Sequence, residues 1–208
     1  VQITGDDAQW LNVEISASVN GGTPVVKRGW VYAPPASETQ VHDEDGNLIE
    51  DARWTYEWDA ENRMSAAEEK ALAYWPVTLT PPVRKRLEFA YDARHRRIRK
   101  VVRHAGLLPG AWSAPVKDTR TYTWGPDLSG TLQGAGGVGG LLAVTHQGTS
   151  YYVCSDANGN VAALYATNGL QGGKVVARYG YGPCGNRIAD TGPGVELCPF
   201  GFSTKYRD

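Results

Sequence analysis

Phe89-Ala90-Tyr91-Asp92-Ala93-Arg94-His95-Arg96-Arg97-Ile98 is the stretch on which the fold turns. Two aromatics two residues apart share one face of a strand. The Asp that follows opens a tight turn, because its carboxylate hydrogen-bonds nearby backbone. Three residues later the chain needs positive φ, which Gly and Asn accept most readily; His95 stands there. The apolar residue beyond it starts the return strand. The unit reads as strand, turn, strand: a β-hairpin.

The unit recurs at irregular spacing. Tyr56-Glu57-Trp58-Asp59 leads into Asn62-Arg63-Met64, and Tyr179-Gly180-Tyr181-Gly182 into Gly185-Asn186-Arg187-Ile188. The turn half stands alone at Asp43-Glu44-Asp45-Gly46-Asn47-Leu48 and at Asp156-Ala157-Asn158-Gly159-Asn160-Val161; the aromatic half stands alone at Tyr122-Thr123-Trp124-Gly125. The turn residues are therefore Asp43, Gly46, Asn47, Asp59, Asn62, Asp92, Asp156, Gly159, Asn160, Gly185 and Asn186. Gly159 and Gly185 are expected at positive φ.

The rest of the 208-residue chain agrees with an all-β class, with 25 Gly, 12 Pro, 7 Trp and 11 Tyr. Ser65-Ala66-Ala67-Glu68 interrupts it with a capping-box pattern, which predicts one short helix near 65–74. No apolar run approaches the roughly 20 residues of a spanning helix. The start, Val1-Gln2-Ile3-Thr4, has no basic residues and no apolar core, so it reads as a cut inside a longer protein rather than a signal peptide. Cys154, Cys184 and Cys198 are three, which leaves at most one disulfide and no C-x-x-C pair.

Charge is uneven. Residues 1–62 hold 12 acids and 3 bases, whereas 84–104 hold nine of the 21 bases. Arg97, Arg99 and Arg103 alternate with Ile98 and Val102, which favours a strand with one wet face over a nucleic-acid surface.

As a set, these motifs resemble the YD repeats of the RHS-repeat family. Trp54 to Arg63 and Leu87 to Arg97 look like two repeats. Tyr181-Gly182-Pro183-Cys184-Gly185-Asn186 resembles the Y-D-P-F-G-N block that opens the RHS-associated core, with Gly182 for Asp and Cys184 for Phe. Pro199-Phe200-Gly201-Phe202-Ser203-Thr204-Lys205-Tyr206 looks like the next piece, ending in a strand. The resemblance divides the chain into an N-terminal β segment (1–38), YD-repeat hairpins (39–180) and the start of the core (181–208). It implies successive β-hairpins forming a curved antiparallel, spiral-like sheet. In toxin complexes and polymorphic toxins that sheet is a shell around a C-terminal toxin, and teneurins use a related barrel. The implied location is secreted or at the cell surface. Some members cleave themselves in a D-P-x-G-x-L context downstream; no residue here matches it, so no protease role is carried over.

Other constellations read more weakly. Gly134-Ala135-Gly136-Gly137-Val138-Gly139 fits G-x-G-x-x-G, but no helix pattern follows it, so a loop is expected and no nucleotide cofactor. Asp43, Asp45 and Asp51 could hold Ca²⁺, yet the spacing is not that of an EF-hand, where Gly sits sixth. The four His residues lack metal-ligand spacing and there is no G-x-S-x-G. Glu57, Asp59 and Glu61 could hide a carboxylate pair. Trp54, Trp58, Tyr91, Trp124 and Tyr181 either stack a ligand such as a glycan or hold strands together. The reading that results is a structural shell segment whose partner is the remainder of its own parent chain, with self-association through strand edges. A glycan- or protein-binding β module is the second reading, and a hydrolase with a pocket in the sheet is the third.

Overall fold

The computed structural model describes residues 8–20, 22–70, 83–105 and 116–207. The chain divides into two compact units, residues 1–87 with 103–114, and residues 88–102 with 115–208. Fourteen strands are described: β1 Gln9–Ala17, β2 Val25–Ala33, β3 Val41–His42, β4 Leu48–Glu50, β5 Trp54–Trp58, β6 Met64–Glu69, β7 Lys85–Tyr91, β8 Arg97–His104, β9 Asp118–Trp124, β10 Leu141–His146, β11 Thr149–Ser155, β12 Val161–Ala166, β13 Val175–Tyr181 and β14 Arg187–Thr191. Among the described residues β1 and β2 pair alone, while β3 to β14 pair in chain order as a 12-stranded ladder that does not close into a barrel. Within the ladder each strand pairs with its sequence neighbours, so it is a succession of hairpins.

A register shift recurs beside the turns, at Val41/His42, Glu57/Trp58, Cys154/Ser155 and Gly180/Tyr181. A bulge of this kind adds one residue to one strand and resets which side chains face inward. The simple alternation expected for 97–103 fails at its start. Ile98 is exposed, whereas Arg97 turns inward, its guanidinium 4.1 Å from the centre of the Phe89 ring.

In the first unit, Trp10 and Tyr32 are cross-strand partners with rings 5.6 Å apart. Arg53 lies over both, at 4.7 and 5.0 Å, and over Trp54 at 5.3 Å. The same guanidinium pairs with buried Glu69, whose other oxygen accepts the Lys85 backbone N–H. A buried carboxylate is costly unless fully bonded, and this one is.

The helix expected near 65–74 is corrected over 65–69, which belong to β6; residues 71–74 lie outside the described residues. Ladder pairing from Trp54↔Glu69 to Trp58↔Met64 overrides a weak local helix preference. Ala66 and Ala67 are buried, and Glu68 pairs with Arg84 and Arg86.

In the second unit the core gathers on one face of β9 to β13: Leu141, Val144, Val161, Leu164, Val176 and Ala177, with Tyr122 and Tyr179. Phe200 enters beneath them, edge-on to Tyr122, Trp124 and Tyr206 at 5.0–5.3 Å. The expected terminal strand is therefore corrected. Phe202–Thr204 is a 3-10 turn, and only the Phe200–Tyr206 bridge is extended. The three cysteines are free thiols; Cys198 is buried and pushed up to about 12 by that burial, while Cys184 is exposed.

Candidate functional site

The turns share one hydrogen-bond net. In those opened by Asp43, Asp59, Asp92 and Asp156, Oδ1 accepts the N–H two and four residues on, at 2.8–3.0 Å. Oδ2 accepts the side chain at the fourth position: Asn47, Arg63, Arg96 or Asn160. Asn and Arg are interchangeable there because each offers an N–H at that reach. The third position has positive φ in every case, whether Gly46, Asn62, His95 or Gly159. Burial raises the Asp59, Asp92 and Asp156 carboxyls, but the bonds outweigh it and hold them below the ordinary 3.8. At Gly182 the side chain is missing, and a Cβ there would lie 2.5 Å from Asn186 Oδ1, so the Asn186 amide fills the space that a turn Asp occupies elsewhere. Gly185 keeps φ at +83°.

A further turn went unread in the sequence. Asp127-Leu128-Ser129-Gly130 makes the same backbone bonds, Asp127 N–H to Thr131 O and Gly130 N–H to Asp127 O, with Gly130 at φ +75°. Its Asp-x-x-Gly spacing was the available signal. Oδ1 accepts the Ser129 N–H and hydroxyl, while Oδ2 accepts the N–H of Ala135 and Gly137 at 2.7 and 3.0 Å. The Ser129 hydroxyl bond, then the backbone bonds against the opposing effect of burial, lower this carboxyl to about 2. The G-x-G-x-x-G stretch is thus a loop whose inward N–H groups are taken by a carboxylate of the chain itself.

The aromatics before the turns have a repeated task. Trp58 Nε1 donates to Leu48 O, Trp124 Nε1 to Arg97 O, and Tyr181 OH to Val161 O, all at 2.8–2.9 Å. Each acceptor lies five residues beyond an earlier turn Asp: Asp43, Asp92 and Asp156. Trp58 and Tyr181 stand directly before the Asp59 and Gly182 turns, and Trp124 three residues before the Asp127 turn, so these bonds stitch hairpin to hairpin. A second rung joins the residue five past the turn to the aromatic three before it: Arg97 over Phe89 at 4.1 Å, and Arg187 over Tyr179 at 4.4 Å. Burial raises the Tyr179 hydroxyl and pushes Tyr181 up to about 12.

The other candidates are spread apart. Asp51 gives Oδ1 to the Arg53 and Trp54 N–H groups and Oδ2 to the Tyr56 hydroxyl, while Asp43 closes its own turn. Among the described residues no three His, Cys, Asp or Glu side chains gather as metal ligands. Glu57 pairs with Arg86, and Asp59 and Glu61 both pair with Arg63. Tyr91 and Trp124 both line a pocket of about 300 Å³, with Arg94, Arg96, Arg97, Lys205 and Tyr206. Tyr181 lines a different depression beside Asp156 and Asn160, and Trp54 stands under Arg53.

A segment absent from the hairpin pattern locks the second unit. Thr204 Oγ1 donates to Gly159 O and accepts the Gly139 N–H, and the Ser203 N–H reaches Asn160 Oδ1. Nothing in the repeat marks these residues beforehand.

This chain is 27% identical over 161 residues to the tRNA3(Ser)-specific nuclease WapA of Bacillus spizizenii, a match over 72% of this chain and 6% of that protein. The chain therefore spans a small part of that curated relative. The crystal structure of TcdB2-TccC3 without its hypervariable C-terminal region is similar over 95% of this chain and 11% of that one, with 10% identity and a TM-score of 0.39. The teneurin YD-shell family model matches residues 84–208, which holds the Asp92, Asp127, Asp156 and Gly182 turns and every stitch among them, and the chain belongs to that family.

Proposed function

We propose that the chain is a wall segment of a shell in a larger RHS-type protein, one that is secreted or displayed at the cell surface and that encloses a downstream toxin-like domain. The observation that carries this reading is the stitch from each aromatic to the carbonyl beyond an earlier turn. It is a rule for adding a hairpin beside the last one, indifferent to how many are added. The wall's function is geometric, to exclude solvent and proteases from what lies behind it. The nuclease activity in the name of the Bacillus relative is not carried over, because the matched residues are 6% of that protein.

Electron cryo-microscopy of the parent protein, with limited proteolysis of its C-terminal region, tests the reading. The expected result is this segment built into a continuous wall and a C-terminal region resistant to protease until the wall is unfolded. A segment standing free of any wall, or a C-terminal region cleaved at the same rate in intact and unfolded protein, would overturn it.

A further inference from the structure

Two Asn-Gly pairs fall wholly among the described residues, Asn158-Gly159 and Asn168-Gly169; Asn20 also precedes a Gly, but Gly21 lies outside them. In such a pair the Gly backbone nitrogen stands next to the Asn side-chain carbonyl, and Gly has no side chain to obstruct its approach. The fold treats the two pairs oppositely. Asn158-Gly159 is locked: the Asn158 N–H donates to Asp156 Oδ1 and the Gly159 N–H to Asp156 O, so the nitrogen that would attack is engaged. Gly159 is buried against Val138, Gly139 and Leu128, and its carbonyl accepts the Thr204 hydroxyl at 2.6 Å. Asn168-Gly169 instead opens the short 3-10 turn Gly169–Gln171 between β12 and β13, where residues 168–174 are all exposed. The Asn168 side chain makes no capping bond, and the Gly169 N–H has no hydrogen-bond acceptor among the described residues. A Cβ on Gly169 would meet nothing within 4 Å, so there is room for a ring to close. The Asn168 backbone is extended, at φ −151° and ψ −175°, which leaves the Gly169 nitrogen gauche to Cβ, a partial rotation from the planar five-membered ring.

We propose that Asn168 is a self-modification site, converted in the folded chain to aspartate and isoaspartate without an enzyme and without disturbing the ladder, while Asn158 is protected by its turn. The Gly169 nitrogen gives its proton to base and bonds to Asn168 Cγ; the Cγ–Nδ2 bond breaks, and the side-chain nitrogen takes up a proton and leaves as ammonia. Water then adds to either carbonyl of the cyclic imide. One opening gives aspartate at position 168, the other isoaspartate, in which the main chain runs through the side-chain carbon. Either product places a new negative charge at the rim of a hollow lined by Tyr151, Leu170, Val176 and Leu197, and no Lys or Arg lines that hollow to pair with it. The base of the loop is held by other groups: Ala166 N–H to Lys174 O, Gly173 N–H to Ala166 O, and the Thr167 hydroxyl to Ser150 O. The hairpin therefore keeps its bonds while its tip changes charge and backbone length. The proposal rests on this loop alone and is independent of the shell reading.

Peptide mapping by mass spectrometry tests it, after timed incubation of the folded chain at mildly alkaline pH and with aspartyl and isoaspartyl peptides resolved by chromatography. Asn168 is expected to convert at least about tenfold faster than Asn158, a ratio that corresponds to only about 1.4 kcal/mol of extra cost for opening the Asp156 turn. In concentrated urea, where neither pair is folded, the two rates should converge. Asn168→Asp, which carries the charge of the first product, should keep the thermal midpoint of the parent chain. Conversion of Asn158 as fast as that of Asn168 in the folded chain, a rate ratio unchanged by urea, an Asn168 that stays intact while the unfolded chain converts, or a lowered midpoint in Asn168→Asp would each overturn the proposal.

Discussion

Gly46 and Gly159 occupy the same place in two turns, at φ +84° and +73°, yet their surroundings differ. A Cβ on Gly46 would meet nothing within 4 Å, whereas one on Gly159 would collide with Val138 Cγ1 and lie 2.9 Å from the Gly139 N. Gly46→Ala should therefore cost only the left-handed backbone penalty, about 1 kcal/mol. Gly159→Ala adds overpacking and should cost about 3 kcal/mol in all. Urea unfolding of both variants checks the difference, and equal losses would mean that the loop around Val138 yields freely. Asp127 sets a second expectation. Its carboxyl is depressed from 3.8 to about 2, so its contribution is complete above about 3.8 and disappears as pH falls through 2. Between pH 4 and pH 2 the parent chain should lose more stability than Asp127→Asn, in which this titration is absent. Parallel pH profiles of the urea midpoint would contradict this.

Among elements, the hairpins depend on the stitches between them. Tyr181→Phe removes the hydroxyl that donates to Val161 O and leaves that carbonyl without this donor, a loss of about 1 kcal/mol. Leu164→Ala empties a fully buried position of β12 and should cost about 3 kcal/mol. Guanidinium denaturation measures both, and a Tyr181→Phe chain as stable as the parent would remove the stitch from the energetics. The turns and the all-β class were legible because Asp, Gly and Asn act within five residues of one another. The aromatics were legible as residues but not as donors, because their acceptors lie in another hairpin and only register reveals them. Residues 65–69 misled because their local preference is outweighed by pairing with β5, and Arg97 because its guanidinium is held between the Phe89 and Tyr206 rings rather than left on the wet face. The lock at Ser203 and Thr204 had no local signal, since its partners are 43 to 65 residues away.

At the scale of the molecule, β14 pairs only with β13 among the described residues, and Ile188 on it is two-thirds exposed. Free N–H and C=O groups on such an edge template pairing with another strand. The isolated chain is expected to associate through β14 rather than through residues 202–206, which turn under the core. Light scattering should show mass rising with concentration, and Ala189→Pro should return the chain to monomer; a concentration-independent monomer would show the edge already protected. The loop at Gly134–Gly139 has another consequence. The chain carries its own counterfeit ligand, an oxyanion supplied in cis to a nest that would otherwise await one from solution. Asp127→Ala vacates that nest and orphans the Ala135 and Gly137 N–H groups. Formate, small enough to enter, should then raise the melting point of the variant while leaving the parent chain unmoved, so that a structural residue is replaced by a salt.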